Sequence, residues 1–229
     1  MKDSTITENI DIQQCWNRIR QAQVFKSVSY PVWKYLQGQN VEAVVDRQRE
    51  VLCDVLLASS LEAEDPKIAF AVRDAESVLK NILMLEFTGV LSLSNVKKHY
   101  SLVSPREPIV GCSVHFGEPK DELAVAVSLE SAMAVNIASA GIACWACLGT
   151  TGMSTLRIPE RVRKVCIYAD MDPTEVVQEA AQSLAQRLRA QGCQAEVRFP
   201  PCSELGLSGR VSWHDAWMLV GCQCVRLES

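Results

Sequence analysis

Two carboxylates carry the clearest chemical signal in this sequence. Ile167-Tyr168-Ala169-Asp170-Met171-Asp172-Pro173 reads as an apolar strand that ends in an Asp-x-Asp pair. Open α/β sheets place their ligands at the carboxyl ends of such strands. Oxygen ligands of this type suit Mg²⁺, which takes one or two carboxylates and leaves its other positions to water and phosphate. The same residues also read as a helix start, with Asp172 as N-cap, Pro173 at the first helical position and Glu175 at the third. That account uses Asp172 fully and leaves Asp170 without a task.

The elements that must position this pair follow from periodicity. Arg161, Arg163 and Lys164 lead into the strand from a basic turn, and Val177, Ala180, Ala181, Leu184 and Leu188 recur at helical spacing behind it. Upstream, residues 123–127 read as a strand, Ser128 as an N-cap and residues 129–140 as an alanine-rich helix. Residues 141–148 give a second strand, followed by a Gly149-Thr150-Thr151-Gly152 turn that could offer backbone N–H groups to an anion or only reverse the chain. Residues 195–199 form a fourth strand, Trp213 to Trp217 begin a short helix, and residues 222–227 read as a last edge strand. Strands alternating with helices imply a mostly parallel sheet with right-handed crossovers.

Bulk composition narrows the function classes. The chain has 229 residues, 48% hydrophobic and 22% charged, with a net charge of −4. A protein that coats duplex DNA would be basic, because phosphate neutralisation supplies most of its non-specific affinity. Any nucleic-acid contact must therefore be local. No apolar run reaches the ~18 residues of a membrane span, and residues 1–9 lack the apolar core of a secretory signal. A cytoplasmic location is the expectation, with no membrane partner. Among the cysteines, Cys144 and Cys147 lie on a strand, where residues three apart face opposite ways and cannot share a metal. Cys222 and Cys224 share a strand face in this reading but have no second pair.

The first half is less regular. Residues 11–25 form an amphipathic helix with Ile12, Cys15, Trp16, Ile19 and Ala22 on one side. A second short helix follows Pro31 and carries Trp33 and Leu36. Residues 68–72 and 78–87 fit either two strands joined at 74–77 or one long helix. Lys97, Lys98 and His99 make the clearest basic cluster, and Pro105 and Pro108 mark a boundary. The expected division is an α+β region at 1–104 and an α/β domain at 105–229.

Residues 105–221 resemble the Toprim domain of phage- and plasmid-type DNA primases and primase-helicases. Ala126-Val127-Ser128-Leu129-Glu130-Ser131-Ala132-Met133-Ala134 stands where that family shows a run like V-A-E-G-I-E-T-A-L-A. Cys144-Trp145-Ala146-Cys147-Leu148 matches its A-W-A-A-L strand, and Tyr168-Ala169-Asp170-Met171-Asp172-Pro173 its A-A-D-N-D-P. Val211-Ser212-Trp213-His214-Asp215 matches the late D-W-N-D. A weaker likeness to the segment preceding Toprim lies around Tyr35-Leu36-Gln37-Gly38. The resemblance implies an α/β fold, a Toprim-like mostly parallel sheet flanked by helices and preceded by the smaller α+β region. It also implies Mg²⁺ or Mn²⁺ held by Asp170, Asp172 and Asp215, and RNA primer synthesis on single-stranded DNA.

The sequence departs from the family at the decisive point. The first family glutamate, the acid/base group and metal ligand of nucleotidyl transfer, falls on Val127, and the glycine after it on Ser128. Valine neither binds Mg²⁺ nor moves a proton, so metal-assisted phosphoryl transfer loses one carboxylate. Glu130, from the second family glutamate, is the candidate catalytic replacement, although the helix dipole favours a carboxylate there regardless of function. The first acid of the late motif falls on Ser212. No stretch of the chain resembles a zinc ribbon or a helicase domain. Two expectations follow. One is a mobile-element primase that uses Glu130 with the three aspartates, steers phosphates with Lys97, Lys98 and Arg106, and works beside replication proteins such as a helicase. The other is a degenerate Toprim fold without chemistry, kept as a nucleic-acid- or protein-binding regulatory module.

Overall fold

A computed structural model describes residues 11–22, 55–58, 67–88, 97–140 and 142–226. The expected helix after Pro31 and the segment around Tyr35 lie outside these residues. The described strands form one mixed sheet: β1 (Val55–Ala58), β2 (Lys67–Arg73), β3 (Leu79–Thr88), β4 (Lys97–Leu102), β5 (Ser113–Phe116), β6 (Glu122–Ala126), β7 (Cys144–Ala146), β8 (Lys164–Tyr168) and β9 (Gln194–Arg198). Their order across the sheet is β4-β3-β2-β5-β7-β6-β8-β9, with β1 paired to the far end of β2. Strands β7, β6, β8 and β9 run parallel, whereas β1 to β5 pair antiparallel. Residues 68–72 and 78–87 are thus strands. Their turn is closed by Asp74, whose Oδ1 accepts the backbone N–H groups of Glu76 and Val78 at 3.1 and 2.8 Å.

The inner parallel strands β7, β6 and β8 are covered on both faces, which is why they read as apolar runs, whereas the edge strand β9 alternates apolar and polar residues. On one face lie α2 (Leu129–Ala138) and α6 (Trp213–Val220), packed on Phe116, Ala126, Cys144 and Tyr168. On the other lie α3 (Thr150–Thr155) and α4 (Val176–Ala190), packed on Val125, Trp145, Val165 and Ile167. A short α5 (Cys202–Leu205) precedes α6. Alanine and other small side chains let α2 sit close to the sheet, so most of its residues are buried. The helix α4 instead buries one stripe, Val177, Ala181, Leu184, Ala185 and Leu188. At the antiparallel end, α1 (Ile12–Ala22) places Trp16 against Ala69, Ala71 and Ile82. Among the described residues no helix is long and apolar enough to cross a membrane.

Three local expectations are corrected. The edge strand expected at 222–227 is not formed by its described residues 222–226: Gly221–Gln223 is a 3₁₀ turn continuing from α6, with Gly221 at a φ of 58°. Gly149 to Gly152 is not a free turn but the entry to α3 and its first turn. Asp172 does not cap the helix behind it, because α4 starts at Val176 after Glu175, which sits in the left-handed region at a φ of 60°. Cys144 and Cys147 do face opposite cores.

Candidate functional site

Three strand ends and two helix starts meet at the carboxyl edge of the parallel strands. β6 runs out into Val127, β7 into Cys147 and Leu148, and β8 into Ala169 and Asp170. Ser128 caps α2 by accepting the Ser131 N–H at 3.1 Å. Ser212 and Asp215 cap α6 reciprocally: Ser212 Oγ accepts the Asp215 N–H at 3.1 Å, and Asp215 Oδ2 accepts the Ser212 N–H at 2.8 Å. An antiparallel bridge between Met171 and Val211, with N–H to O distances of 2.8 and 3.0 Å, clips the α6 entry onto the aspartate loop.

Asp170 is half-buried at the end of β8. Its Oδ1 accepts the Ser131 hydroxyl at 2.9 Å and the Trp213 backbone N–H at 3.1 Å. Burial pushes its carboxyl up to about 6; those two hydrogen bonds oppose the rise, while the negative charges of Asp215 and Glu130 add to it. Asp170 therefore ties α2 and α6 together across the end of β8. Glu130 and Asp215 stand close enough to be felt by it.

The other carboxylates are engaged differently. Asp172 Oδ1 accepts the N–H and hydroxyl of Thr174 at 2.9 and 2.8 Å, and its Oδ2 meets the Arg210 guanidinium at 2.8 Å. The Thr174 N–H and hydroxyl, then Arg210, hold its carboxyl below the usual range. Asp215 Oδ2 accepts the Ser212 hydroxyl at 2.7 Å in addition to the capping N–H. Asp170, Asp172 and Asp215 line one cleft of about 370 Å³ together with Met171, Val177, Arg210 and Ser212.

Beside it lies a different environment. Val127, Leu83, Leu129 and Leu148 line an apolar cleft of about 360 Å³, at whose edge the Tyr100 hydroxyl donates to Glu130 Oε1 at 2.7 Å. Tyr100 belongs to β4, the strand that also carries Lys97 and Lys98, while Arg106 is exposed in the loop that follows. Sequence reasoning missed Ser131, Thr174, Arg210 and Tyr100. Ser131, Thr174 and Arg210 had only their closeness in the chain to Glu130, Asp172 and Asp215 as a signal, and Tyr100, 30 residues from Glu130, had none.

A divalent ion needs carboxylate oxygens that are not already committed. Both Asp172 oxygens are occupied, one of them by a cation of the chain itself, and Asp215 Oδ2 and Asp170 Oδ1 each accept two donors. Among the described residues, no three His, Cys, Asp or Glu side chains are grouped to hold a metal ion. Asp170 Oδ2 and Asp215 Oδ1 accept no bond from the described residues, so these two carboxylates could hold a Mg²⁺ or Mn²⁺, which Asp172 could join only by releasing Arg210 and to which Val127 contributes nothing.

The burial of Asp170 has a measurable consequence. An unfolded aspartate ionises near 3.8, whereas the folded one ionises near 6, so the native state binds the proton more tightly. Its contribution is most favourable below pH 4, fades between about pH 4 and 6, and is a constant penalty above that. Asp170→Asn keeps an acceptor for Ser131 and Trp213 without the buried charge. It is expected to stabilise the protein by about 2 kcal/mol at pH 8 and by almost nothing at pH 4, read by urea denaturation.

Comparison with known proteins adds the following. Residues 122–222 match the model of the Toprim domain family. The primase fragment of the bacteriophage T7 primase-helicase protein has the same fold, with a TM-score of 0.50 and 13% identity over 76% of this chain. The match covers 65% of that fragment, so this chain spans less than two thirds of its length. A chain from the bacteriophage T7 lagging-strand DNA polymerase structure with primase domains of two gp4 subunits, an RNA/DNA hybrid and dTTP gives a TM-score of 0.41. It has 13% identity over 66% of this chain and 76% of that one. No curated protein matches.

Proposed function

We propose that this chain, whose residues 122–222 are a Toprim domain, is a primase-like protein of DNA replication in which the phosphoryl-transfer centre has become a structural and binding centre. The observation that carries this reading is the apolar lining around Val127, next to an Asp172 paired with Arg210 and to Asp170 and Asp215, each of which spends one oxygen on holding a helix. Phosphoryl transfer by metal ions relies on free charge at that place to activate one oxygen and stabilise another. Valine supplies none. Asp170 instead holds two helices, Arg210 neutralises Asp172, and Asp215 caps α6.

In this reading residues 1–104 are a primase-like region built onto the sheet of residues 105–229. Single-stranded DNA or nucleotides approach along β4, where Lys97 and Lys98, with Arg106 beyond them, meet the phosphates. The solved fragment belongs to a primase-helicase protein, and by extension a helicase is the partner we propose for this chain. The setting is the replication machinery of a phage or plasmid in the cytoplasm.

An active primase is the second reading, and one observation favours it. Glu130 keeps its carboxylate within electrostatic reach of Asp170, with Tyr100 on its Oε1. It would take the acid/base role once Arg210 left Asp172. Primer synthesis on single-stranded DNA with Mg²⁺ or Mn²⁺ separates the two readings. The expected result is silence in the wild type and in Asp170→Asn, with synthesis gained, if anywhere, in Val127→Glu. Wild-type synthesis that Asp170→Asn abolishes would overturn the binding reading and make Glu130→Gln the next variant.

A further inference from the structure

A second, larger cleft lies at the opposite edge of the sheet from Asp170. The loop of residues 156–163 and the C-terminal ends of α3 and α4 enclose about 950 Å³ there, lined by Arg157, Arg163, Arg187, Glu76 and Glu160 among others. Arg163 enters β8 and Asp170 leaves it, so the two edges are roughly 20 Å apart at the rise of an extended chain. The volume is that of a small-molecule site.

The arginines are held by the backbone rather than by carboxylates. Arg187 donates to the carbonyls of Leu156 and Ser154 at 2.6 and 3.2 Å, closing the end of α3. The Arg157 stem lies over Gly111, which sits at a φ of 77° and where an added Cβ would come within 3.0 Å of Arg157 Cγ. Arg157 N–H also donates to the Gly111 carbonyl at 3.2 Å. Among the described residues neither Arg157 nor Arg163 has an ion-pair partner. Burial, and then the charge of Arg157, lowers the Arg187 pKa, so two guanidiniums repel one another across the cleft. On a chain of net charge −4 this lining sets three arginines against two glutamates, and neither Arg157 nor Arg163 is drawn into a pair with them.

Guanidinium groups match phosphate oxygens in geometry and charge. Glu76 and Glu160 in the same lining accept hydrogen bonds, which suits hydroxyl or amine donors and disfavours a ligand that is anionic throughout. We propose that this cleft is a second site that binds a nucleotide, its phosphates on Arg157 and Arg163 and its sugar or base toward the glutamates, with Arg187 positioning the loop. The nucleotide is free or is the end of a single strand.

The test is titration of a fluorescent ATP analogue into the full chain at low ionic strength, with ATP, pyrophosphate and oligodeoxythymidylate as competitors. Wild type is expected to bind. The pair Arg157→Glu and Arg163→Glu is expected to lose about a hundredfold in affinity, the effect of removing two charge-assisted contacts. Arg163→Ala, at an exposed position that leaves the fold intact, is expected to lose about tenfold. Competition by ATP and not by the oligonucleotide indicates a free nucleotide, competition by both with the oligonucleotide the tighter indicates a strand end, and failure of ATP to compete would overturn the proposal. No binding by wild type, equal binding by the charge-reversed pair, or pyrophosphate competing as well as ATP would overturn the proposal. Primer synthesis by the wild type would overturn the reading of the Asp170 edge and leave this one standing.

Discussion

Gly152→Ala is expected to leave little folded protein. A Cβ at position 152 would overlap the carbonyl group of Cys147, a backbone atom pair and not the end of a flexible side chain. That carbonyl cannot retreat. Cys147 N–H is bonded to Ala126 O at 2.8 Å and Gly149 N–H to Val127 O at 2.9 Å, which pins both ends of the segment to β6 and its extension. Between them Leu148 adopts a φ of 59°, so the backbone already occupies a sparsely populated region. Relief requires α3 to lift from Trp145 and Met153 to leave the core, at a cost of about 3 kcal/mol or more. Gly149→Ala is the comparison: its Cβ meets nothing, and only the backbone opposes it, at a φ of 111° and ψ of 178° that few residues but glycine adopt, so its loss is about 2 kcal/mol. Denaturation midpoints of the two variants give the contrast, and equal midpoints would show that the approach of α3 to β7 is looser than described.

Trp213→Ala is expected to destabilise by about 4 kcal/mol. The ring is fully buried, meets Tyr168 edge-on with centroids 4.9 Å apart, and donates its indole N–H to Ala169 O at 3.2 Å. Its backbone N–H is one of the two donors on Asp170. Trp213→Phe keeps an aromatic ring against Tyr168 and removes the indole donor, leaving a carbonyl unpaired at a cost of about 1–2 kcal/mol. Urea unfolding of the two variants separates cavity from hydrogen bond. If Phe costs as much as Ala, the indole bond rather than the packing secures α6.

How much of this could be read from the sequence depends on the reach of each interaction. β6, α2, β7, β8 and α4 were legible because strands buried on two faces are apolar runs and because α4 exposes one side, and β9 because its residues alternate. Asp170 and Asp172 were legible at the end of β8, and Asp215 only through the likeness of residues 211–215 to the late Toprim motif. What those carboxylates do was not. Asp170 meets Ser131 and Trp213 from 39 and 43 residues away, and Arg210 reaches Asp172 only because Met171 and Val211 are bridged. No local pattern announces such pairs. Two errors had local causes. Glu175 in the left-handed region postponed α4 past an otherwise good capping sequence, and Gly221 with a positive φ turned an alternating Cys-Gln-Cys run into a 3₁₀ turn. The ambiguity at 68–87 was one of period, settled by pairing with β5 and β4 that no window of sequence contains.

The sheet joins β1 to β4 to the remaining strands through a ladder two rungs long, Val72 opposite Val114 and Arg73 opposite Ser113. By contrast β2 and β3 pair along the whole of β2. Cohesion across the join therefore comes mainly from side chains, with Phe70, Val72, Leu83 and Leu85 sharing one core with Phe116, Ala126 and Met133. Backbone ladders and apolar contacts respond differently to temperature, because the hydrophobic contribution fades on cooling. The line between β2 and β5 is thus where the molecule is softest in the cold, and partial opening there would part the Tyr100–Glu130 contact before either side lost its own strands.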